Sequence, residues 1–208
     1  MKRPPRLYFS LRSPFSWMAL RQLAERRPGI LGHFEFVPFF EPDATTAAEL
    51  HARGGEMHYV AMSKAKHLYI LADTKRLAKR FGYQMTWPVD VDPWWELPHL
   101  AWLKARELGQ HQEFYDAVMA ARWRRGENIC DTETLRRVCF DAGLNGDVLT
   151  SAPQDDDIRE QGVRALLDVY HNDVFGVPYF VVGRQRFWGL DRIDHVIEEM
   201  DARLVPST

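Results

Sequence analysis

The sequence predicts an α/β fold in which a small sheet is interrupted by a long helical block. Three features of the 208-residue chain support this prediction. A strand, a helix and a strand come first, a long middle stretch lacks the alternating apolar pattern of strands, and a helix, a β-hairpin and a final helix follow. We expect two domains: residues 1–45 and 155–208 around the sheet, and the helical residues 46–154 inserted between them.

The N-terminal segment has the pattern of a strand, a helix and a second strand. Residues 6–11 form an apolar and aromatic run that ends near a Ser-Pro pair, which is a typical helix start. Residues 15–27 carry apolar side chains at helical spacing until a Pro-Gly pair stops the helix, and residues 33–40 form the second strand. A unit of this length implies a right-handed crossover between two parallel strands.

The middle of the chain is predicted to be helical. Asp131 is a suitable N-cap for the last helix of this block, and Gly143 a suitable C-cap. Cys130 and Cys139 match no redox or zinc pattern, so we expect both to be reduced and Cys139 to lie in the core. The predicted helices cover residues 57–81, 98–109, 113–124 and 132–142.

The C-terminal part is predicted to contain a helix over residues 156–171, a hairpin, and a last helix over residues 192–204 with Asp191 as its N-cap. Pro178 lies inside an apolar run, where proline would remove a hydrogen bond of the ladder. A cis Val177-Pro178 peptide that opens the strand resolves this conflict. The order βαβ, helical insertion, helix, hairpin and helix is that of a thioredoxin fold that carries a helical domain.

Composition excludes several classes of function. Lys and Arg total 27 against 29 Asp and Glu, so the charge of −2 gives no reason to expect a nucleic-acid partner. The uncharged stretches fall short of the roughly 20 apolar residues of a membrane span, and the N-terminus has no signal-peptide core. We therefore expect a cytoplasmic protein without a membrane partner. His51, His58 and His67 do not have the spacing of a helical zinc motif, so no metal is expected.

The turn after the first strand is the candidate active site. In this element order it lies beside the loop of Pro178. Ser13 can cap the first helix and Pro14 suits its first position. The amides of Phe15 and Ser16 are then expected to be free and to point outward with the positive end of the helix dipole. Such a position favours an anion, although these residues could also do no more than cap a helix.

Three stretches resemble a known family. Residues 7–20 (Leu-Tyr-Phe-Ser-Leu-Arg-Ser-Pro-Phe-Ser-Trp-Met-Ala-Leu) are similar to the start of the DsbA-like branch that contains kappa-class glutathione transferases and 2-hydroxychromene-2-carboxylate isomerases. Residues 175–183 and 187–192 resemble the two C-terminal signatures of that branch. Ser13 and Ser16 stand where the disulfide oxidoreductases of the family carry cysteines. Two serines cannot cycle between a dithiol and a disulfide.

The resemblance also implies residues that bind a cofactor. Ser13 would be the catalytic residue, and its hydroxyl would contact the sulfur of glutathione or of another low-molecular-weight thiol, held as a thiolate at the helix N-terminus. Glu56 follows Gly55 where the family often has asparagine, so another thiol, or none, stays an alternative. The other cofactor-binding positions that the family implies are Pro14, Phe15, Ser16, Lys66, Val177, Pro178, Leu190 and Asp191.

Tryptophans and arginines supply two further candidates. Some of the seven tryptophans could line an apolar pocket that stacks on a flat conjugated substrate, and ordinary core packing is the alternative. The cluster at residues 122–125 (Arg-Trp-Arg-Arg) could dock an acidic carrier, or it could be a solvated helix end. The candidate pocket residues are Trp17, Trp94, Trp95 and Trp188.

We expect an isomerase that acts on a conjugated aromatic or polyene substrate, by cis-trans isomerisation. A thiolate held by Ser13 would add to the conjugated bond, permit rotation and leave again. The alternatives are a thiol-independent isomerase of a polyene held on an acyl carrier protein, a glutathione transferase, and a non-catalytic binding protein. Disulfide exchange is the least favoured. The resemblance further implies a homodimer.

Overall fold

A computed structural model describes residues 4–58 and 62–204. Its four-stranded sheet has the order β2-β1-β3-β4, in which β1 is parallel to β2 and antiparallel to β3, and β3 is antiparallel to β4. This mixed sheet, split by helices, confirms the predicted α/β thioredoxin-like fold with a helical insertion. The strands are β1 (Arg6–Phe9), β2 (Glu35–Pro38), β3 (Tyr179–Val182) and β4 (Gln185–Trp188).

The described residues contain nine α-helices. The helix predicted over residues 156–171 is observed with those bounds, because Asp155 caps it by accepting hydrogen bonds from two amides of its first turn. The fifth helix is followed directly by a π-helical turn of five residues, Ala121–Arg125. The helices are α1 (Pro14–Arg26), α2 (Ala44–Ala52), α3 (Lys64–Phe81), α4 (Glu96–Glu107), α5 (His111–Ala120), α6 (Thr132–Asp141), α7 (Gly146–Thr150), α8 (Asp156–His171) and α9 (Ile193–Leu204).

Two predicted helix starts are wrong, and one helix was not predicted. The helix expected to begin at residue 57 begins at Lys64, because Ser63 caps it by accepting from the Lys66 amide at 3.2 Å; residues 59–61 of that prediction lie outside the described residues. Helix α2 was not predicted; the division into two domains after residue 45 stays a prediction. Asp191 does not cap α9. It lies in a 3₁₀ turn, Leu190–Arg192, that precedes the helix.

The strands divide the apolar side chains between two faces of the sheet. Successive residues of a strand point to opposite faces. Leu7 and Phe9 of β1 therefore join the large core that the sheet forms with α1 and the helical insertion. Tyr8 points the other way, into a smaller cluster with residues of β2, β3 and α8. The sheet is thus covered on both faces.

A buried carboxylate ties the insertion to the helices beside it. Glu96, at the start of α4, is fully buried and accepts a hydrogen bond from the Asp43 amide at 2.6 Å and from the Thr46 hydroxyl. Arg159 of α8 lies 3.3 Å from Glu96 and 3.1 Å from the Asp43 carboxylate. Burial raises the pKa of Glu96. The contacts fix the first turn of α4 against α2 and α8.

Residues 4–58 and 62–204 contain neither a membrane-spanning helix nor a cluster of metal ligands. No helix there has both the length and the apolar character to cross a bilayer. No group of three or more His, Cys, Asp or Glu side chains in this part of the chain could hold a metal ion. Cys130 and Cys139 are both buried free thiols, which confirms that they form no disulfide with each other.

Candidate active site

Ser13 caps α1 as the sequence predicts. Its backbone is extended, and its Oγ accepts a hydrogen bond from the Ser16 amide at 3.1 Å, while Pro14 opens the helix. Ser13 is half-buried rather than enclosed. Among the described residues no acceptor contacts its hydroxyl proton, so that proton is left for a ligand. Phe15, in the same helical turn, is also half-buried.

The register of the sheet brings the Pro178 loop to the end of β1 that leads into the Ser13 turn. Tyr8 pairs with Tyr179 in antiparallel strands, so β1 ends where β3 begins. The Val177-Pro178 peptide just before β3 is cis, as predicted. The Pro178 carbonyl accepts from the Gly189 amide at 2.9 Å, and α1 contacts the Leu190–Arg192 turn that follows. Three of the predicted segments therefore meet at one end of the two central strands.

The expectation that the Ser16 amide is free is wrong. It donates to Ser13 Oγ, because an N-cap side chain takes the amide of the second or third helical residue. The Ser16 side chain is not available either. It is fully buried, and its Oγ accepts from the Ser10 amide at 3.3 Å. Ser16 therefore stabilises the turn from within.

His99 contacts this turn and was not identified from the sequence. The side chain comes from α4 in the helical insertion and is fully buried. Its Nε2 accepts from the Leu11 amide at 3.0 Å and lies 3.2 Å from Ser10 Oγ. An amide can only donate, so Nε2 carries no proton, and Nδ1 donates to the Trp95 carbonyl at 2.6 Å. Burial lowers the pKa of His99 to about 3, so the ring is neutral at physiological pH.

The four candidate pocket tryptophans have different environments. Trp17 and Trp95 are only 4% and 3% exposed, which is the ordinary packing that the sequence left open. Trp94 is half-buried. Trp188 is 54% exposed and lies edge-on to Phe175, with ring centroids 4.9 Å apart. A stacking role for these rings stays a prediction, and Trp188 is the most accessible of them.

The arginine cluster is not the surface patch that the sequence suggested. Arg122 is buried and forms two hydrogen bonds of 2.9 Å to the Asp90 carboxylate. Only Arg124 and Arg125 of the cluster are exposed. Arg122 follows the buried Phe114 and Val118 at intervals of four residues, so it lies on the inward face of the helix. Any docking of an acidic carrier here would depend on the two exposed arginines.

The residues around Ser13 fit the sulfur of a thiol. A hydroxyl with a proton to donate and a helix N-terminus both favour a thiolate. Further out, Lys66 in the first turn of α3 is exposed, as is Asp191, which lies 3.3 Å from Arg192. Glu56, at the position where the family often has asparagine, is exposed too. No described contact joins these outer residues to Ser13.

Comparison with known proteins gives consistent results. The model of the DSBA-like thioredoxin domain matches residues 6–201. The 2-hydroxychromene-2-carboxylate isomerase of Sphingobium xenophagum is 30% identical over 191 residues, which cover 90% of this chain and 92% of that protein. A solved 2-hydroxychromene-2-carboxylate isomerase has a TM-score of 0.71 at 21% identity, covering 96% of this chain and 95% of its own. The cytosolic disulfide reductase DsbM of Pseudomonas aeruginosa, solved with glutathione, has a TM-score of 0.62 at 15% identity, covering 96% and 99%.

Proposed function

Because this chain belongs to the DSBA-like thioredoxin domain family, in which an isomerase is 30% identical to it, we propose that it is an isomerase similar to 2-hydroxychromene-2-carboxylate isomerase. Its substrate would be a conjugated aromatic or polyene compound, and the reaction a cis-trans isomerisation. The observation that carries the proposal is the half-buried Ser13 hydroxyl at the N-terminus of α1, with a proton left to donate.

The absence of cysteine at the site argues against disulfide exchange. By the resemblance, Ser13 and Ser16 stand at the two positions of the redox pair, and Cys130 and Cys139 are buried elsewhere in the fold. Exchange proceeds by attack of a thiolate on a disulfide sulfur, and serine hydroxyls cannot take that part. What remains is a site that favours negative charge without accepting electrons.

Each part of the site has a role in this proposal. Ser13 donates its hydroxyl proton to a sulfur, and the N-terminus of α1 lowers the free energy of an anion beside it. Val177 and Pro178, at the cis peptide just before β3, would present backbone atoms to the bound thiol. A bound thiol would supply a nucleophile that adds to a conjugated double bond, makes rotation easy, and leaves again. Glutathione is one such thiol, and Lys66 and Asp191 would receive its charged ends.

Two other reactions fit the same hydroxyl. A glutathione transferase would use Ser13 in the same way but would form a conjugate with an electrophile. An isomerase of a polyene held on an acyl carrier protein would need no thiol, and the exposed Arg124 and Arg125 would meet the acidic carrier. Product mass and the requirement for a thiol separate these alternatives.

The experiment measures turnover of two substrates. The purified protein is incubated with 2-hydroxychromene-2-carboxylate and with a cis-polyene thioester, each with and without glutathione, and the products are identified by chromatography and mass spectrometry. We expect a product of unchanged mass. Ser13→Ala should reduce turnover by about 100-fold or more, as expected for loss of a donor to a developing anion.

Ser151→Ala is the matched control. Ser151 is exposed, and its hydroxyl donates to the Val148 carbonyl at 3.0 Å in the helical insertion, so this variant should turn over substrate at the wild-type rate. Unchanged turnover of Ser13→Ala would contradict the proposal. So would a product that is heavier by one glutathione, or reduction of insulin by the wild-type protein.

A further inference from the structure

The loop between β1 and α1 has every one of its backbone amides bonded. Residues 10–13 lie between the strand and the helix, so the backbone hydrogen bonding of neither element supplies acceptors for their amides. The Ser10 amide donates to Ser16 Oγ at 3.3 Å, and the Leu11 amide to His99 Nε2 at 3.0 Å. The Arg12 amide donates to Ser10 Oγ at 3.3 Å, and the Ser13 amide to the Ser10 carbonyl at 3.1 Å.

His99 is the partner in this network that comes from the helical insertion. Its Nε2 accepts from the Leu11 amide and lies 3.2 Å from Ser10 Oγ, and this oxygen in turn accepts from the Arg12 amide. Three of the four partners are atoms of the loop and α1 themselves. Of these four amide bonds, the one to His99 is therefore the bond that ties the loop to the helical insertion.

The imidazole is itself held from two further directions. Its Nδ1 donates to the Trp95 carbonyl one turn earlier in α4, at 2.6 Å. Its ring stacks on Phe40, with centroids 5.2 Å apart and planes 20° from parallel. A buried ring with both nitrogens bonded and one face stacked has no alternative rotamer. It can therefore act as a rigid support for the loop.

We propose that His99 is a positioning residue of the Ser13 site, through which the helical insertion fixes where the Ser13 hydroxyl lies relative to the N-terminus of α1. For turnover, this inference rests on the proposed function. The electrostatic part does not, because a group at position 13 experiences the helix N-terminus whatever the reaction is.

His99 does not act as an acid or base here. Its one lone pair at Nε2 already accepts from the Leu11 amide and faces the Ser10 hydroxyl, and its one proton is bonded to the Trp95 carbonyl. The ring is also fully buried. Its effect on chemistry must pass through the loop.

Two substitutions distinguish the hydrogen bond of Nε2 from that of Nδ1. In His99→Gln the side-chain amide reaches the position of Nε2 and can still accept from the Leu11 amide, although it loses the bond to the Trp95 carbonyl. In His99→Asn the shorter amide reaches only the position of Nδ1. It can still donate to the Trp95 carbonyl, but it leaves the loop without an acceptor. Only the second should move Ser13.

The first readout is independent of any substrate. A thiol is introduced by Ser13→Cys, and its pKa is measured from the pH dependence of alkylation by iodoacetamide. Adding His99→Asn should raise this pKa by about one unit, because a loosened loop lets the thiolate leave the helix N-terminus. Adding His99→Gln should leave it within a few tenths of a unit. Val138→Ala, a core truncation in α6, should not move it either.

The second readout is turnover with Ser13 in place. His99→Asn should lower kcat by about 10- to 100-fold with little change in KM, as for a misplaced catalytic group, and His99→Gln should recover most of it. If no substrate is turned over, the proposed function fails while the thiol pKa still tests this inference.

The inference would be overturned if the thiol at position 13 had the same pKa in the His99→Asn and His99→Gln variants. It would also be overturned if His99→Asn left that pKa unshifted. If His99→Asn does not fold, Ser10→Ala replaces it, since this removes the oxygen that links His99 to the Arg12 amide. An unshifted thiol pKa in Ser10→Ala would then overturn the inference.

Discussion

Arg122 forms a two-point ion pair with Asp90 while its guanidinium lies between the rings of Trp95 and Trp123, 4.7 Å from each centroid. The Arg122 side chain is 2% exposed and the Asp90 side chain 22%. Arg122 and Asp90 therefore differ in whether water can reach the charge once its partner is removed. Asp90 can turn toward water, whereas Arg122 cannot.

This asymmetry predicts the ranking of two variants. Asp90→Ala leaves a buried guanidinium unpaired and should lower the free energy of unfolding by about 3–5 kcal/mol. Arg122→Met keeps the apolar contacts with the two indoles and leaves a carboxylate that water can reach, so its cost should be smaller, about 1–2 kcal/mol. Urea denaturation of both variants measures the difference, and a reversed order would show that Arg122 is less enclosed than the structure indicates.

The N-terminus of α1 can be tested without substrate or cofactor. The thiol introduced by Ser13→Cys should have a pKa below the usual 8.5, within the range of about 3.5–7.5 seen for cysteines at helix N-termini. The rate of alkylation as a function of pH gives this value. A pKa of 8.5 or above would mean that the site does not favour an anion, which removes the physical basis of the proposed thiolate chemistry.

The native cysteines supply the background for that measurement. Burial raises the pKa of Cys130 to about 12, and burial alone raises the pKa of Cys139 to about 12. Both thiols should therefore react with an aromatic disulfide reagent at pH 8 at least about 100 times more slowly in the native protein than in urea. Rapid reaction of either thiol under native conditions would show that its surroundings open on the timescale of the assay.

Acid should destabilise the protein through His99. The pKa of its imidazole is about 3 when folded, against 6.5 when unfolded, because burial disfavours the charged ring. Between these two values only the unfolded state binds the proton, so stability is lost as the pH falls below 6.5 and is unaffected above it. Relative to His99→Gln, the wild type should lose about 2 kcal/mol between pH 7.5 and pH 5.0. The free energy of unfolding is measured by urea denaturation of both proteins at both pH values. An equal change in the two proteins would contradict the low pKa of His99.

Local signals in the sequence were enough to predict the elements around the site. The Ser13-Pro14 start of α1, the cis peptide before Pro178 and the bounds of α8 each follow from a residue that acts on its immediate neighbours. A cap or a proline has the same effect in almost any fold, so its consequence can be predicted without knowing the tertiary structure.

Features that depend on distant contacts could not be predicted. His99 meets the loop of Ser10 across 89 residues, and nothing in its neighbourhood distinguishes it from an ordinary core histidine. Helix α2 buries only Thr46 and Leu50, which is too little for an apolar period to appear. Arg122 is buried with a partner, Asp90, that lies 32 residues earlier in the chain, and the run of charges around residue 122 carries no sign of that contact.

The pairing of Tyr8 with Tyr179 has a consequence for how the molecule acquires its structure. The two strands that form the middle of the sheet come from opposite ends of the chain, and the ladder between them closes a loop of about 170 residues. Contacts of such high sequence separation form late and slowly. A nascent polypeptide can therefore complete its helical segments on the ribosome, but the candidate site at the end of β1 and β3 is assembled only after the C-terminal hairpin has emerged.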